Sequence, residues 1–163
     1  MFGFEESYGY LTGSYVRDKD GVDGAYMICE MFSYYATKGI SLLDKLDELY
    51  KTYGYCLNTL HSYEFDGSAG FAKMQSIMQA FRGNIKAFGG KKVVKLLDYA
   101  YGLDGLPKSD VLKFLLEDNC SIVVRPSGTE PKLKTYISVS AENKEAAEAV
   151  EAEIRKSAEE YLK

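Results

Sequence analysis

The segment "CSIVVRPSGTEPKLKTYISVSA", residues 120–141, decides the fold of this chain. Two runs rich in strand-forming residues, 120–125 and 132–141, flank a short stretch of Pro, Ser, Gly and Thr. Alternating apolar and polar residues on either side of such turn residues are typical of two antiparallel strands joined by a tight turn. The segment therefore predicts a sheet with a compact turn at one end.

The turn at residues 126–129 also has the composition of an anion-binding loop. A phosphate needs several converging donors, and small turn residues leave backbone N–H groups accessible. Further donors are the hydroxyls of Ser127 and Thr129 and the forked guanidinium of Arg125. They can act together with the backbone N–H groups of the turn, including that of Gly128. The sequence leaves open whether this is a phosphate cradle or an ordinary Pro/Gly hairpin with solvated charges.

The outgoing strand brings further charges to this turn. Lys132, Lys134 and Tyr136 share one face by the period of two, so a second cation lies near Arg125. Glu130 is unfavourable beside a phosphate unless its carboxylate points away or pairs with a lysine. Its orientation cannot be assigned from the sequence.

The rest of the chain predicts an α+β fold with helices on one side of a mostly antiparallel sheet. Helical spacing of apolar residues, or alternation with a period of two, marks each element. The predicted helices span about 20–38, 41–54, 66–82 and 142–163, and the predicted strands 55–65, 91–101, 111–118, 120–125 and 132–141.

Particular residues define the predicted helices. Ser41 and Asp44 form a capping box, and Gly54 is a left-handed C-terminal cap. The second helix is expected to pack on the first through a stripe, and the third to bury its own. The first stripe is Leu42, Leu43, Leu46, Leu49, Tyr50 and Tyr53, and the second is Phe71, Met74, Ile77, Met78 and Phe81. The charges of the last helix, including Glu151 to Arg155 and Glu159 to Lys163, read as a solvated face with i,i+4 pairs.

Composition restricts the class of function. The net charge of −4 argues against a nucleic-acid partner, and no apolar run is long enough for a membrane span. The three cysteines, Cys29, Cys56 and Cys120, are interpreted as reduced core residues of a cytoplasmic protein. The N-terminus shows no signal peptide, and we expect the sequence to be part of something longer.

A second candidate loop is "GFEESYGYLTGSYVRDKDG", residues 3–21. Glu5 and Ser7, among glycines and tyrosines, can hydrogen-bond a polyol, although an acidic solvated turn has the same composition. The "DKDG" part fails the calcium-loop pattern, so its acids are expected to cap the following helix and leave Lys19 exposed. His61 is expected to lie on a strand face rather than act as a catalytic base.

The chain resembles the α-D-phosphohexomutase family, which comprises the phosphoglucomutases and phosphomannomutases. The resemblance lies in three stretches taken together: "GFEESYGY", "RDKDG" and "VVRPSGTEPKLKTY". They are similar to the sugar-specificity loop of its third domain, the segment after it, and the phosphate-binding loop of its fourth domain. The wording is nearest to the phosphoglucomutase branch. The resemblance implies that residues 1–54 are a helical remnant of the α/β domain three and that residues 55–163 are the C-terminal domain four.

The resemblance also implies roles for individual residues. It implies that two sets of residues bind the substrate: one binds the sugar, and the other binds the phosphate, with Lys134 as a supporting cation. The sugar set is Glu5, Ser7 and Lys19, and the phosphate set is Arg125, Ser127, Gly128, Thr129 and Lys134.

The family interconverts hexose 1-phosphate and hexose 6-phosphate through a bisphosphorylated sugar. Its phosphoserine loop (Ser-His-Asn-Pro) and its magnesium loop (Asp-x-Asp-x-Asp-Arg) do not occur in this sequence. The resemblance therefore implies that Mg²⁺ and glucose 1,6-bisphosphate belong to the full-length enzyme, that none binds this fragment, and that the fragment is inactive without the N-terminal domains of the same chain.

Two residues depart from the family pattern. Phe4 occupies a position that is commonly glycine, and Gly9 one where bacterial phosphomannomutases often carry histidine. Two other functions stay open at this point. One is a stand-alone, non-enzymatic module that binds sugar phosphates, and the other is an interaction domain with an inert hairpin.

Overall fold

The computed structural model describes residues 2–5, 9–128 and 130–163, and of Ser68 the backbone alone. The chain divides into two compact units, Met1–Thr52 and Tyr53–Lys163, called unit 1 and unit 2 below. In the described part of the chain, no helix combines the length and the apolar character needed to cross a bilayer.

Unit 1 contains a small hairpin and two helices. Strands β1 (Gly3–Glu5) and β2 (Gly9–Leu11) pair antiparallel, and helices α1 (Gly21–Ala36) and α2 (Leu42–Tyr53) follow. The hairpin was not predicted, because each of its strands is three residues long and carries no clear alternation. Both helices were predicted correctly.

The predicted caps of these helices are confirmed. The Asp20 carboxylate accepts from the N–H groups of Val22 and Asp23, both at 3.0 Å. At the start of α2, the Asp44 N–H donates to Ser41 Oγ at 3.0 Å, and the Ser41 N–H donates to Asp44 Oδ2 at 3.2 Å. These reciprocal bonds form the capping box that the sequence predicts.

The α2 stripe, which the sequence predicts to pack on α1, is not fully buried at any position. Leu43 is 75% exposed and Tyr53 82% exposed, and α2 has no fully buried residue. The helices do share an apolar groove, which Met31 and Tyr35 of α1 line together with Leu46 of α2. A helix buries its apolar stripe only where a second layer covers it, and the described residues of unit 1 include only a two-stranded sheet.

Unit 2 is an antiparallel sheet with two helices. Its strands lie in the order β3-β8-β7-β6-β5-β4, and neighbouring strands all pair antiparallel. The α+β prediction is therefore confirmed. The elements are β3 (Tyr55–Glu64), α3 (Gly67–Phe81), β4 (Ala87–Phe88), β5 (Lys91–Asp98), β6 (Leu112–Leu116), β7 (Ser121–Pro126), β8 (Lys132–Ala141) and α4 (Lys144–Glu159), with short 3-10 helices at Tyr99–Tyr101 and Glu160–Leu162.

The core of unit 2 lies on one face of this sheet. Phe81 of α3, Phe88 of β4 and Phe114 of β6 are almost fully buried, and the rings of Phe88 and Phe114 lie 5.1 Å apart edge to face. The stripe predicted for α3 is buried at four of its five positions, whereas Phe71 is 61% exposed. Large aromatic side chains contribute strongly to such a core because each removes a large apolar area from water.

Two details of the polar residues differ from the predictions. Glu151 of α4 is only 7% exposed and contacts β3, so this part of the helix is not a solvated face. Among the described residues it pairs with His61 rather than with Arg155. Of the three cysteines, Cys120 is buried as expected, but Cys29 and Cys56 are exposed.

Candidate functional site

The turn between β7 and β8 is narrow and closed by backbone hydrogen bonds. Strand β7 ends at Pro126 and β8 begins at Lys132, which leaves residues 127–131 as the connection. The Ser127 N–H donates to the Lys132 carbonyl at 2.7 Å, and the Glu130 N–H donates to Ser127 Oγ at 3.3 Å. These bonds occupy two N–H groups that could otherwise donate to an anion.

Two cations lie directly opposite each other beside this turn. Arg125 of β7 and Lys134 of β8 are register partners. Their neighbours Val124 and Thr135 are buried, and since side chains alternate along a strand, Arg125 and Lys134 project from the opposite face of the sheet. Among the described residues, neither cation has a carboxylate within ion-pair distance.

Gly128 lies in an open part of the turn. A Cβ atom at this residue would meet nothing within 4 Å, and no described residue accepts a hydrogen bond from its N–H. A ligand can thus approach the backbone closely here. Thr129, the other predicted phosphate ligand of the turn, lies outside the described residues.

The position of Glu130, which the sequence left open, is defined by Lys132. The Lys132 ammonium lies 3.1 Å from Glu130 Oε1 and 3.3 Å from Glu64 Oε1. The Glu130 carboxylate raises the pKa of Lys132, and Glu64 adds to this effect. Glu130 is compatible with a nearby anion if its carboxylate points away or pairs with a lysine. In the structure it pairs with Lys132.

The predicted sugar loop forms a separate small groove in unit 1. Lys19 Nζ lies 3.4 Å from Glu5 Oε1, and both residues line a groove of about 230 Å³ together with Tyr10 and Leu11. Gly9 is buried beneath this pair: a Cβ there would lie 2.6 Å from Glu5 and from Lys19 side-chain atoms. Ser7, the remaining predicted sugar ligand, lies outside the described residues.

Sequence reasoning did not find a second polar cluster in unit 2. Arg82 Nε donates to Asp98 Oδ2 at 2.9 Å, and its Nη2 donates to Asp110 Oδ1 at 2.6 Å. The Arg82 guanidinium lowers the pKa of Asp98. By strand register, Asp98 ends β5 at the same end of the sheet as the β7–β8 turn. The only signal in the sequence was that Arg82 and Asp110 border predicted elements, whereas Asp98 lies inside a predicted strand.

His61 lies on the covered face of β3, as predicted. Its Nε2 is 2.7 Å from Glu151 Oε1 and 3.2 Å from Thr59 Oγ1, so its neighbours come from the sheet and from α4. This arrangement ties the helix to the sheet. Within the part of the chain that the structure describes, no three His, Cys, Asp or Glu side chains cluster closely enough to hold a metal ion.

Two protein-family models match this chain and identify its class. The family model "Phosphoglucomutase/phosphomannomutase, C-terminal domain" matches residues 68–157, and the model "Phosphoglucomutase/phosphomannomutase, alpha/beta/alpha domain III" matches residues 1–53. These two matches cover most of the chain. The chain belongs to the phosphoglucomutase/phosphomannomutase family, as the resemblance of its motifs predicts.

Individual relatives agree with this assignment. Phosphoglucomutase of Staphylococcus aureus strain MSSA476 is 40% identical over 155 residues, which cover 88% of this chain and 28% of the relative. The enzyme of strain MRSA252 is 40% identical over 151 residues, 85% of this chain and 27% of the relative. The chain therefore spans little more than a quarter of the length of these relatives.

A solved structure shows the same fold. The open form of pp63/parafusin, a phosphoglucomutase from Paramecium, superimposes with a TM-score of 0.64 over 96% of this chain and 29% of its own. At 22% identity, this likeness establishes the architecture alone.

Proposed function

We propose that unit 2 binds the phosphate of a sugar phosphate at the β7–β8 turn. Arg125, Ser127, Gly128, Thr129 and Lys134 would hold the phosphate. The observation that carries this proposal is the direct opposition of Arg125 and Lys134, with no carboxylate partner among the described residues.

The charges of Arg125 and Lys134 support this proposal. Like charges directly opposite in an antiparallel pair destabilise a sheet, unless an anion neutralises them. A phosphate between Arg125 and Lys134 removes this repulsion. Arg125 can donate two parallel N–H bonds to it, Lys134 contributes a compact charge, and the Gly128 N–H adds a backbone donor.

The groove of unit 1 is the proposed site for sugar hydroxyls. Carboxylate oxygens such as those of Glu5 accept from hydroxyl groups, and Lys19 balances the carboxylate and can itself donate. Ser7 completes this proposed set. Gly9 supports the site because a larger residue would push the Glu5 and Lys19 side chains out of their present positions.

These sites suit one part of a larger reaction. We propose that residues 1–54 and 55–163 are the last part of domain three and the whole of domain four of a phosphohexomutase. The complete enzyme interconverts hexose 1-phosphate and hexose 6-phosphate through a bisphosphorylated intermediate and uses Mg²⁺. The described residues do not fit a magnesium site, and no step proposed for this chain involves one.

The role of this chain is then to bind and orient, not to break bonds. The turn holds the phosphate that is not being transferred, and fixing that group positions the rest of the sugar for reaction elsewhere. A stand-alone module that binds sugar phosphates without catalysis is not favoured, because the curated relatives are phosphoglucomutases that extend well beyond the matched region.

Calorimetric titration tests the proposed phosphate site. Glucose 1-phosphate and inorganic phosphate should both bind the full chain, and Arg125→Ala should weaken both by at least about tenfold, since charge-assisted hydrogen bonds to a phosphate are lost. Lys92→Ala is the matched control, because it removes one cation that is 78% exposed and remote from the turn by strand register. Equal affinities of the two variants would contradict the proposal.

The proposed lack of activity has its own test. The chain, supplied with Mg²⁺ and glucose 1,6-bisphosphate, should form no glucose 6-phosphate from glucose 1-phosphate above the buffer rate. Formation above that rate would show that this chain carries its own phosphoryl-transfer groups.

A further inference from the structure

The three cations around the β7–β8 turn have different surroundings. Arg125 and Lys134 have no carboxylate partner in the described part of the chain, whereas Lys132 contacts two carboxylates, at 3.1 Å and 3.3 Å. Sequence alternation places Lys132 and Lys134 on one face of β8, so spacing alone cannot distinguish them. Their ion pairs do.

We propose that Lys132 is a positioning residue, which holds the Glu130 carboxylate away from the bound phosphate and does not itself bind the phosphate. This inference rests on the function proposed above. It assigns Lys132 and its two carboxylate partners to the shape and charge of the turn, and it leaves Arg125 and Lys134 to bind the ligand.

The strand register explains why Lys132 is suited to this role. Glu64 and Lys132 are register partners in the last pair of the β3–β8 ladder. The Phe65 N–H donates to the Pro131 carbonyl at 2.9 Å and continues the pairing one step further. The ammonium of Lys132 is therefore held by Glu64 at the sheet end, and from there it reaches Glu130.

The backbone of Glu130 is fixed as well. Its carbonyl accepts from the Lys132 N–H at 2.7 Å, and its N–H donates to Ser127 Oγ at 3.3 Å. With the backbone held at two points, the side-chain direction is the remaining freedom. The ion pair with Lys132 restricts that direction.

Loss of Lys132 would change the electrostatics of the turn more than its shape. Two carboxylates, those of Glu64 and Glu130, would lose the ammonium that they share. A free Glu130 carboxylate, two residues from Gly128 in the sequence, would repel a phosphate through solvent. Neutralising Glu130 in the same chain should remove this repulsion, and that reversal distinguishes positioning from direct binding.

The test measures the affinity of the full chain for inorganic phosphate at low ionic strength, by calorimetry. We expect Lys132→Met to weaken binding about fivefold, Glu130→Gln to change it by less than about twofold, and the double variant to return to within about twofold of the wild type. Glu64→Gln is the control: it removes a carboxylate but leaves the Lys132–Glu130 pair. We expect it to change the affinity by less than about twofold.

The outcomes separate this inference from the function on which it rests. If the wild type does not bind phosphate, both are overturned. If the wild type binds and the double variant stays as weak as Lys132→Met, then Lys132 contacts the phosphate or merely maintains the fold, and the positioning role is wrong while the site stands. Amide spectra of each variant show whether the turn has kept its structure.

Discussion

The helices of units 1 and 2 have similar patterns of apolar residues, but the units differ in the layer that packs against those residues. In unit 2, helices α3 and α4 lie on a six-stranded sheet, and the buried apolar core of the described residues belongs to this unit. In unit 1, α1 and α2 have comparable stripes, yet Phe32 is 58% exposed and Leu43 75% exposed. Helical periodicity thus identifies a face that can be buried, and only a neighbouring layer determines whether it is.

The largest expected difference in stability between the units comes from replacing one phenylalanine in each unit by alanine. Phe114→Ala in unit 2 should lower the free energy of unfolding by about 3–5 kcal/mol, because it removes a side chain that is 1% exposed and leaves a cavity. Phe32→Ala in unit 1 should cost less than about 1 kcal/mol, since most of that ring already contacts water. Urea unfolding measures both. Similar losses would contradict the difference between the units.

A polar pair within unit 2 should give the next largest effect. Glu151→Ala removes the acceptor of Thr59 and the partner of His61 on the covered sheet face, and it should cost about 2–3 kcal/mol. Glu148→Ala, on the same helix but 55% exposed, should change stability by less than about 0.5 kcal/mol. If the two variants are equally stable, Glu151 does not connect α4 to the sheet.

A smaller predicted effect depends on pH. The Arg82 guanidinium lowers the pKa of Asp98 in the folded state, so this carboxylate stabilises the fold above its unfolded pKa of about 3.9 and loses that contribution as the pH falls through its lower, folded pKa. Asp98→Asn should cost about 1 kcal/mol at pH 7 and progressively less below about pH 4.

A variant of unit 1 sharpens the same comparison. Glu5 pairs with Lys19 at the surface, where solvent screens the attraction, so Glu5→Gln should cost less than about 0.5 kcal/mol at pH 7. Thermal unfolding as a function of pH measures both variants. A loss for Asp98→Asn that stays constant down to pH 2.5 would show that the charge of Asp98 does not stabilise the fold.

The fold of unit 2 could be predicted largely from its local patterns. Alternation along 55–65 and 132–141 predicted two strands, and the capping box and Gly54 predicted the ends of α2. Local patterns could not predict which distant residues contact each other. The burial of Glu151 depends on a residue of β3, 90 positions earlier in the chain, and the exposure of Leu43 depends on a layer that local sequence does not show.

The candidate site divides in the same way. The turn and its cations followed from "RPSGTEPKLK", because strand alternation fixes which residues share a face. The proposed role of Lys132 did not follow, because it depends on Glu64 across the β3–β8 ladder. The Arg82 cluster was not predicted for a similar reason, since its three charges come from distant positions in the sequence.

The central claim is that phosphate binds at the β7–β8 turn, and amide chemical shifts test it residue by residue. On titration with inorganic phosphate, the Arg125 and Gly128 amides of the full chain should shift and saturate together. The amides around Arg82, at the same end of the sheet, should stay within the shifts seen with chloride. Absence of saturation at Gly128, or equal shifts around Arg82, would contradict the account.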